Sequence, residues 1–156
     1  MMDFGETYAE NTIRNDQTLA AALDRLGFDV QGKEFGYTES HQVAVNVKTH
    51  GGGEKVSRAL EANDFILNMN MLPHEPLNNH DRPDGIRIGV QEMTRFGMGE
   101  QEMGRIAELV RECIVGKKDI KEEVNRFRSQ FREVRYSYDN FGERRSEAEL
   151  KLIKSA

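Results

Sequence analysis

The segment GIRIGV, residues 85–90, constrains the fold of this chain more than any other stretch. Side chains alternate between the two faces of a β-strand. The three apolar side chains of the segment would therefore share one face, and Arg87 would lie on the other face between Gly85 and Gly89. Open space beside the guanidinium would let a carboxylate or phosphate meet it through two parallel hydrogen bonds. A charged residue on a half-solvated strand, with incidental glycines, explains the same pattern, and surface charges are common.

The rest of the chain contains few strands and several amphipathic helices. HQVAVNV alternates and predicts a half-buried strand, and DFILNMN predicts a short apolar one. The predicted helices are residues 6–28, 51–63, 99–116 and 119–131. The apolar face predicted for the first helix consists of Ala9, Ile13, Leu19, Ala22, Leu23 and Leu26. All three prolines lie between residues 73 and 83, which predicts a loop.

This order of elements predicts an α+β fold in which a small sheet is covered by helices on one face. The opposite face of the sheet would then need cover from the C-terminal helices or from another domain. Residues 135–156 are either a loose tail or end in a helix that starts at about Ser146. No internal repeat is present.

Charge divides the chain into two parts, which we predict as a body at residues 1–116 and a basic helical extension with a tail at residues 117–156. The body holds 11 Lys and Arg against 19 Asp and Glu, and the extension holds 11 against 8. The charges of the extension are mixed in sign and spread at helical spacing, which favours a solvated helix face over nucleic-acid binding. No apolar run is long enough to cross a membrane. Cys113 stands alone, which suits a cytoplasmic location, and the four histidines lack metal-ligand spacing.

Two further segments carry polar residues with a possible binding role. Asn68 and Asn70 would share one face of an extended segment, and an amide suits the edge of a heterocycle. On spacing alone, turn formation is the commoner reason for such asparagines. HGGGEK, residues 50–55, lacks the Gly-Lys-Ser/Thr ending of a phosphate loop, so its glycines are expected to free the backbone at the start of a helix.

Three blocks of the chain together resemble the C-terminal third of serine (glycine) hydroxymethyltransferase. They are ESHQVAVNV, GGGEKVSRALEANDFILNMNMLPHEP and GIRIGVQEMTRFGMGEQEM, and the likeness runs from about residue 6 to residue 115. Its most specific part is Gly-Ile-Arg-Ile-Gly followed by Thr94 and Gly97. The second is Asn-x-Asn-x-x-Pro at residues 68–73. The resemblance implies the small antiparallel sheet, covered by helices, of the C-terminal domain in aspartate-aminotransferase-like (fold type I) pyridoxal-phosphate enzymes.

The resemblance also implies roles for two residues in serine–glycine interconversion. The arginine of the Gly-Ile-Arg block, here Arg87, would bind the carboxylate of the amino-acid substrate. The second asparagine of the other block, here Asn70, would contact the pterin of tetrahydrofolate or a related carrier. Family members often have Lys, Thr and Arg where this chain has Met69, Val90 and Phe96. These departures weaken the predicted binding of the one-carbon carrier more than the predicted binding of the substrate carboxylate by Arg87.

The family's cofactor-binding motifs are missing from these 156 residues. The Schiff-base lysine, the acid at the pyridine nitrogen and the proton-transfer residues belong to the N-terminal domain of such enzymes. The chain alone is therefore expected to be inactive and not to bind pyridoxal phosphate. It would need an N-terminal partner domain, in the same or a separate chain, and the complete enzyme would be a homodimer. Two alternatives are a non-catalytic binding or regulatory module and a related aldolase acting on β-hydroxy amino acids.

Overall fold

A computed structural model of the chain describes residues 4–137, which form five helices and four strands. The helices are α1 (Gly5–Arg25), α2 (Gly52–Glu61), α3 (Gln91–Arg95), α4 (Glu100–Ile114) and α5 (Lys121–Arg128). The strands are β1 (Asp29–Val30), β2 (Val43–Asn46), β3 (Asn68–Asn70) and β4 (Gly85–Ile88). Short 3₁₀ turns at Lys33–Phe35, Lys48–His50 and Leu77–Asn79 complete the connections. The final helix considered from Ser146 lies outside the described residues.

The four strands form one antiparallel sheet in the order β1-β2-β4-β3. Val43 pairs with Ile88 and Val45 with Ile86, so the apolar side chains of the two central strands share one face. All four of these side chains are buried. The predicted α+β fold with a small antiparallel sheet is confirmed. Strand β1 was not predicted, because two residues are too few to show a period.

Helices cover the apolar face of the sheet and complete the core. In α4, which lies within the helix predicted at residues 99–116, helical spacing predicts one apolar face of Met103, Ile106, Ala107 and Val110, and all four are buried. In α5, Ile120 precedes the helix and is buried together with Val124, and Phe127 packs against the same core. The backbone N–H of Ile120 also donates to Oδ1 of Asn63 at 2.7 Å, which fixes the start of α5 beside the end of α2. The part of the extension at residues 120–131 therefore packs on the helical side.

Helix α1 buries polar residues that its predicted apolar face did not include. Ala9 is exposed and Ile13 is half-buried, whereas Thr12, Asn15 and Asp16 are buried. The predicted face was wrong in its first two turns because the helix there packs on the short helix α3 and the loop that follows it. Asn15 Nδ2 donates to Thr94 Oγ1 at 2.9 Å and to the Met98 carbonyl at 3.0 Å.

Over the described residues, the second face of the sheet keeps polar side chains. Ala44, Asn46, Arg87 and Asn70 are partly exposed and Asn68 is exposed. Of the two expected covers for this face, the C-terminal helices do not include α5, which packs on the opposite, apolar side of the sheet. No helix in residues 4–137 is both long and apolar enough to cross a membrane.

Candidate functional site

Arg87 lies at the centre of the polar face of the sheet. Strand β4 is flanked on both sides, and Arg87 pairs with Ala44 of β2 and with Asn68 of β3. Directly paired side chains on an antiparallel sheet stand about 5 Å apart on the same face. The guanidinium therefore has a small methyl group on one side and a primary amide on the other.

The Arg87 guanidinium is half-buried and has no partner within the part of the chain that the structure describes. No hydrogen bond, ion pair or ring contact involves it there, although eleven other ion pairs are formed by residues 4–137. A partly desolvated guanidinium with five free N–H donors favours a planar anion that accepts two of them. The residue is placed to bind a carboxylate or phosphate from the open side of the sheet.

The glycines beside Arg87 do not leave open space, as their pattern had suggested. A Cβ atom on Gly85 would stand 2.6 Å from both the Asn70 carbonyl oxygen and the Leu72 side chain. A Cβ atom on Gly89 would stand 2.4 Å from Oε1 of Gln91. Because Gly85 and Gly89 have no side chains, the Leu72 and Gln91 side chains pack against β4 on either side of Arg87. The Arg87 side chain is therefore accessible only from the solvent side.

Asn70 lies on the same face, opposite Gly85. Its side chain is half-buried and its Nδ2 donates to the Met71 carbonyl at 2.7 Å, which leaves Oδ1 as the free acceptor. Asn68, two residues earlier on β3, is exposed and lies beside Arg87. The structure thus brings together the arginine and both asparagines that the sequence singled out. They lie on two adjacent strands.

Glu75 organises the loop between β3 and β4, and sequence reasoning did not identify it. Its Oε1 accepts from the backbone N–H of Leu72 at 2.9 Å and its Oε2 from that of Asp84 at 3.0 Å. Burial raises the pKa of the Glu75 carboxyl, but these bonds and one from Asn79 outweigh burial and hold the pKa below its usual range. The charged carboxylate therefore ties the loop to both strands. Glu75 could not be identified from the sequence, because no regular spacing relates it to the Leu72 and Asp84 N–H groups that it binds.

Thr94, part of the Gly-Ile-Arg block of the resemblance, has a structural role here. It is buried, donates from Oγ1 to the Val90 carbonyl at 2.9 Å and accepts from Asn15. Phe96 replaces the arginine that family members often carry, and the Arg128 guanidinium lies 4.3 Å from the centre of its ring.

The polar face suits an anionic substrate better than it suits pyridoxal phosphate itself. Arginine and amide groups can hold a carboxylate and a heterocycle edge. The strand residues that share the face with Arg87 include no lysine, so the face offers no amine for a Schiff base with the cofactor. These residues do not fit the cofactor on their own.

The fold and this face together place the chain in a class of enzymes. L-threonine transaldolase from Pseudomonas fluorescens, solved in its internal aldimine state, superposes with a TM-score of 0.76 and 31% sequence identity. The match covers 88% of this chain and 32% of the transaldolase. The fold is therefore that of the small domain of fold type I pyridoxal-phosphate enzymes.

Sequence comparison narrows this class to one family. The family model for serine hydroxymethyltransferase matches residues 1–110. The enzyme of that name from Saccharolobus islandicus is 49% identical over 98% of this chain, and the one from Metallosphaera sedula is 52% identical over 88%. The chain belongs to the serine hydroxymethyltransferase family. It spans 36% and 32% of the lengths of these two relatives, about a third.

Proposed function

We propose that the chain is the small domain of a glycine/serine hydroxymethyltransferase in which Arg87 binds the carboxylate of the amino-acid substrate. The observation that carries the proposal is a half-buried guanidinium on an open sheet face with no partner in residues 4–137. A carboxylate is planar and bidentate, so it matches the fork of this side chain. Holding it fixes the substrate's orientation relative to groups that the rest of the enzyme supplies.

An N-terminal domain, in the same or a separate chain, would supply the cofactor site. Pyridoxal phosphate, bound there, would act as the electron sink for cleavage at the α-carbon of the substrate. The family and the transaldolase neighbour support this assignment. The complete enzyme would be cytoplasmic and a homodimer, and this chain alone would be inactive.

Asn70 would take part in binding the one-carbon carrier, tetrahydrofolate or a related pterin. Its free Oδ1 can accept from the ring or exocyclic N–H groups of a pterin, since Nδ2 is already engaged with the Met71 carbonyl. The backbone on either side of Asn70 is held by the bonds to Glu75 and by pairing with Gly85. A fixed acceptor of this kind favours one orientation of the heterocycle.

A second candidate is the small domain of a related enzyme that acts on β-hydroxy amino acids without a pterin. The structural likeness to a threonine transaldolase favours it, as does Met69 between the two asparagines. Arg87 would have the same role in both. Asn70 distinguishes them, because only the first candidate needs a pterin contact there.

The decisive experiment replaces Arg87 in a complete enzyme. This chain would be fused in place of the matching third of the Saccharolobus islandicus relative. We expect Arg87→Ala to raise the KM for serine and the Kd for glycine by about 100-fold, because a charged pair of hydrogen bonds worth about 3 kcal/mol is lost. Arg87→Lys should recover only part of the affinity, since an ammonium group lacks the planar fork.

The matched control is Arg111→Ala, which removes an exposed arginine from α4. It should leave the glycine Kd unchanged. Equal glycine affinity in the wild-type and Arg87→Ala enzymes would refute the carboxylate role. Asn70→Ala should weaken the pterin but not the amino acid, and cleavage of threonine analogues that is unaffected by pterin and by Asn70→Ala would favour the second candidate.

A further inference from the structure

Asn68 is a strand residue whose side chain has no structural role in the described chain. It is the first residue of β3, it is exposed, and its side-chain amide has no hydrogen-bond partner in residues 4–137. Asparagine is depleted in strands, and its common use is to bond the backbone of a turn. Asn70, two positions later, does bond a neighbouring carbonyl, that of Met71. The turn-forming role of asparagine therefore does not explain Asn68.

The residue directly opposite Asn68 on the next strand is Arg87. The two are paired in register between β3 and β4, and neither side chain has a partner among residues 4–137. Paired side chains on an antiparallel sheet have their Cβ atoms about 5 Å apart. A free amide and a free guanidinium therefore stand side by side on the open face of the sheet.

The two strand neighbours of Arg87 differ in what they offer an anion. On the β2 side, Ala44 presents a methyl group, which cannot donate a hydrogen bond. On the β3 side, Asn68 presents an NH₂ group with two donors. The asparagine side chain is the shorter of the two, so an anion that meets the guanidinium from the β3 side lies over the amide.

No acidic side chain of the four described strands competes for this position. Asp29 is the one acidic residue in these strands, and it lies on β1, two strands away from β4. Its Oδ2 already accepts a hydrogen bond from Asn46 at 2.9 Å. An anion from outside the sheet therefore meets two sets of unused donors, those of Arg87 and those of Asn68.

We propose that Asn68 is a second substrate-binding residue, whose side-chain N–H group donates to the carboxylate that Arg87 holds. The proposal rests on the role proposed for Arg87 and deepens it. A carboxylate in the fork of an arginine still has a free lone pair on each oxygen, so it can accept a third bond. Because Ala44 offers no donor, the third bond places the carboxylate on the β3 side of the guanidinium. The substrate is thereby held toward the strand that also carries Asn70.

The first test uses the fused enzyme and measures the Kd of glycine without a pterin, so that Asn70 has no part in the result. We expect Asn68→Ala to raise this Kd about tenfold, which corresponds to one hydrogen bond to a charged group. Asn68→Asp should raise it by about 100-fold or more, because the new carboxylate would pair with the guanidinium and repel the substrate. In the Arg87→Ala background, Asn68→Ala should change the Kd by less than about twofold.

The second test measures the proximity of the two side chains in the 156-residue chain and needs no active enzyme. In an NMR titration of Asn68→Asp, the new carboxyl should have a pKa below its ordinary value of about 3.9, because a positive charge within a few ångström favours the carboxylate. Adding Arg87→Gln should return this pKa to the ordinary value.

The matched control position is Gln130, an exposed amide that follows α5 on the other side of the sheet. Gln130→Ala removes an amide and Gln130→Glu adds a negative charge, and both should leave the glycine Kd unchanged.

The outcomes separate this proposal from the role of Arg87 on which it rests. A large loss of glycine affinity in Arg87→Ala, with none in the two Asn68 variants or with an equal loss in the control, would overturn the role of Asn68 alone. Unchanged affinity in Arg87→Ala would refute both roles. An ordinary pKa for the new carboxyl in Asn68→Asp would also overturn the proposal, since the two side chains would then be out of reach of each other.

Discussion

The most unusual single residue in the core is Asp16. It is fully buried in α1, and neither carboxyl oxygen has a hydrogen-bond partner. Desolvation by burial raises the pKa of this carboxyl to about 7, from an ordinary value of 3.8. Because a buried carboxylate without partners is costly, the native state favours the neutral acid.

This pKa predicts an unusual pH dependence of stability. Between pH 4 and pH 7 the native state holds a proton on Asp16 that the unfolded state has released, so the free energy of unfolding falls as pH rises through this window. Asp16→Asn, which resembles the neutral acid, should remove this slope and stabilise the chain at pH 8 by about 3 kcal/mol. Urea denaturation at pH 5, 7 and 8 measures both effects. Asp81→Asn, at an exposed position, is the control and should keep the wild-type slope.

At the residue scale the sequence predicted the direction of Arg87 but not its surroundings. Alternation along β4 correctly assigned the arginine and the isoleucines to opposite faces. The space left by the glycines is filled by Leu72 and by Gln91. Only the folded chain brings Leu72 over a glycine 13 positions later, so no local pattern could reveal it.

At the scale of secondary structure, two glycines in helices should respond oppositely to the same substitution. Gly53→Ala places a methyl group against the backbone oxygens of Gly85 and Pro83, which cannot rotate away, and should destabilise the chain by about 1 to 3 kcal/mol. Gly104→Ala adds a methyl group to α4 with nothing within 4 Å and should stabilise it by about 0.5 to 1 kcal/mol. Thermal and urea denaturation of both variants measures the difference. A Gly53→Ala chain as stable as the wild type would show that α2 and β4 do not pack as described.

The helices with a strong apolar period were the most predictable elements. The predicted buried face of α4 was correct because apolar side chains recur there at helical spacing and pack in the core. The first turns of α1 were not predictable in this way, since Thr12, Asn15 and Asp16 are buried by the helix and loop that follow β4. The side of α1 that is buried depends on contacts with α3 and the following loop, and the spacing of apolar residues within α1 does not reveal those contacts.

At the scale of the whole molecule, apolar side chains remain exposed near one edge of the sheet. Strand β3 is an edge strand, and Ile66, just before it, is 89% exposed. Met69 within the strand is 44% exposed. Exposed apolar groups beside unpaired backbone favour association with another chain.

We therefore expect the isolated chain to self-associate through this edge. Ile66→Gln should lower the apparent mass at high concentration without changing the melting temperature, because the side chain makes little contact in the monomer. Light scattering over a concentration series measures the mass. Val115→Gln, at an exposed apolar position at the end of α4, should leave the association unchanged. A monomeric wild-type chain at high concentration would refute the expectation.

The pairing of β4 with its two neighbouring strands determines which face of the sheet carries Arg87. Ile86 and Ile88 enter the core while Arg87 faces the open side, so a shift of one position would bury the guanidinium and expose both isoleucines. A misaligned chain would be too unstable to persist, and cellular proteases would remove it. Any molecule that survives therefore carries Arg87 on the open side of the sheet, so the strand pairing that stabilises the core also selects the orientation of this side chain.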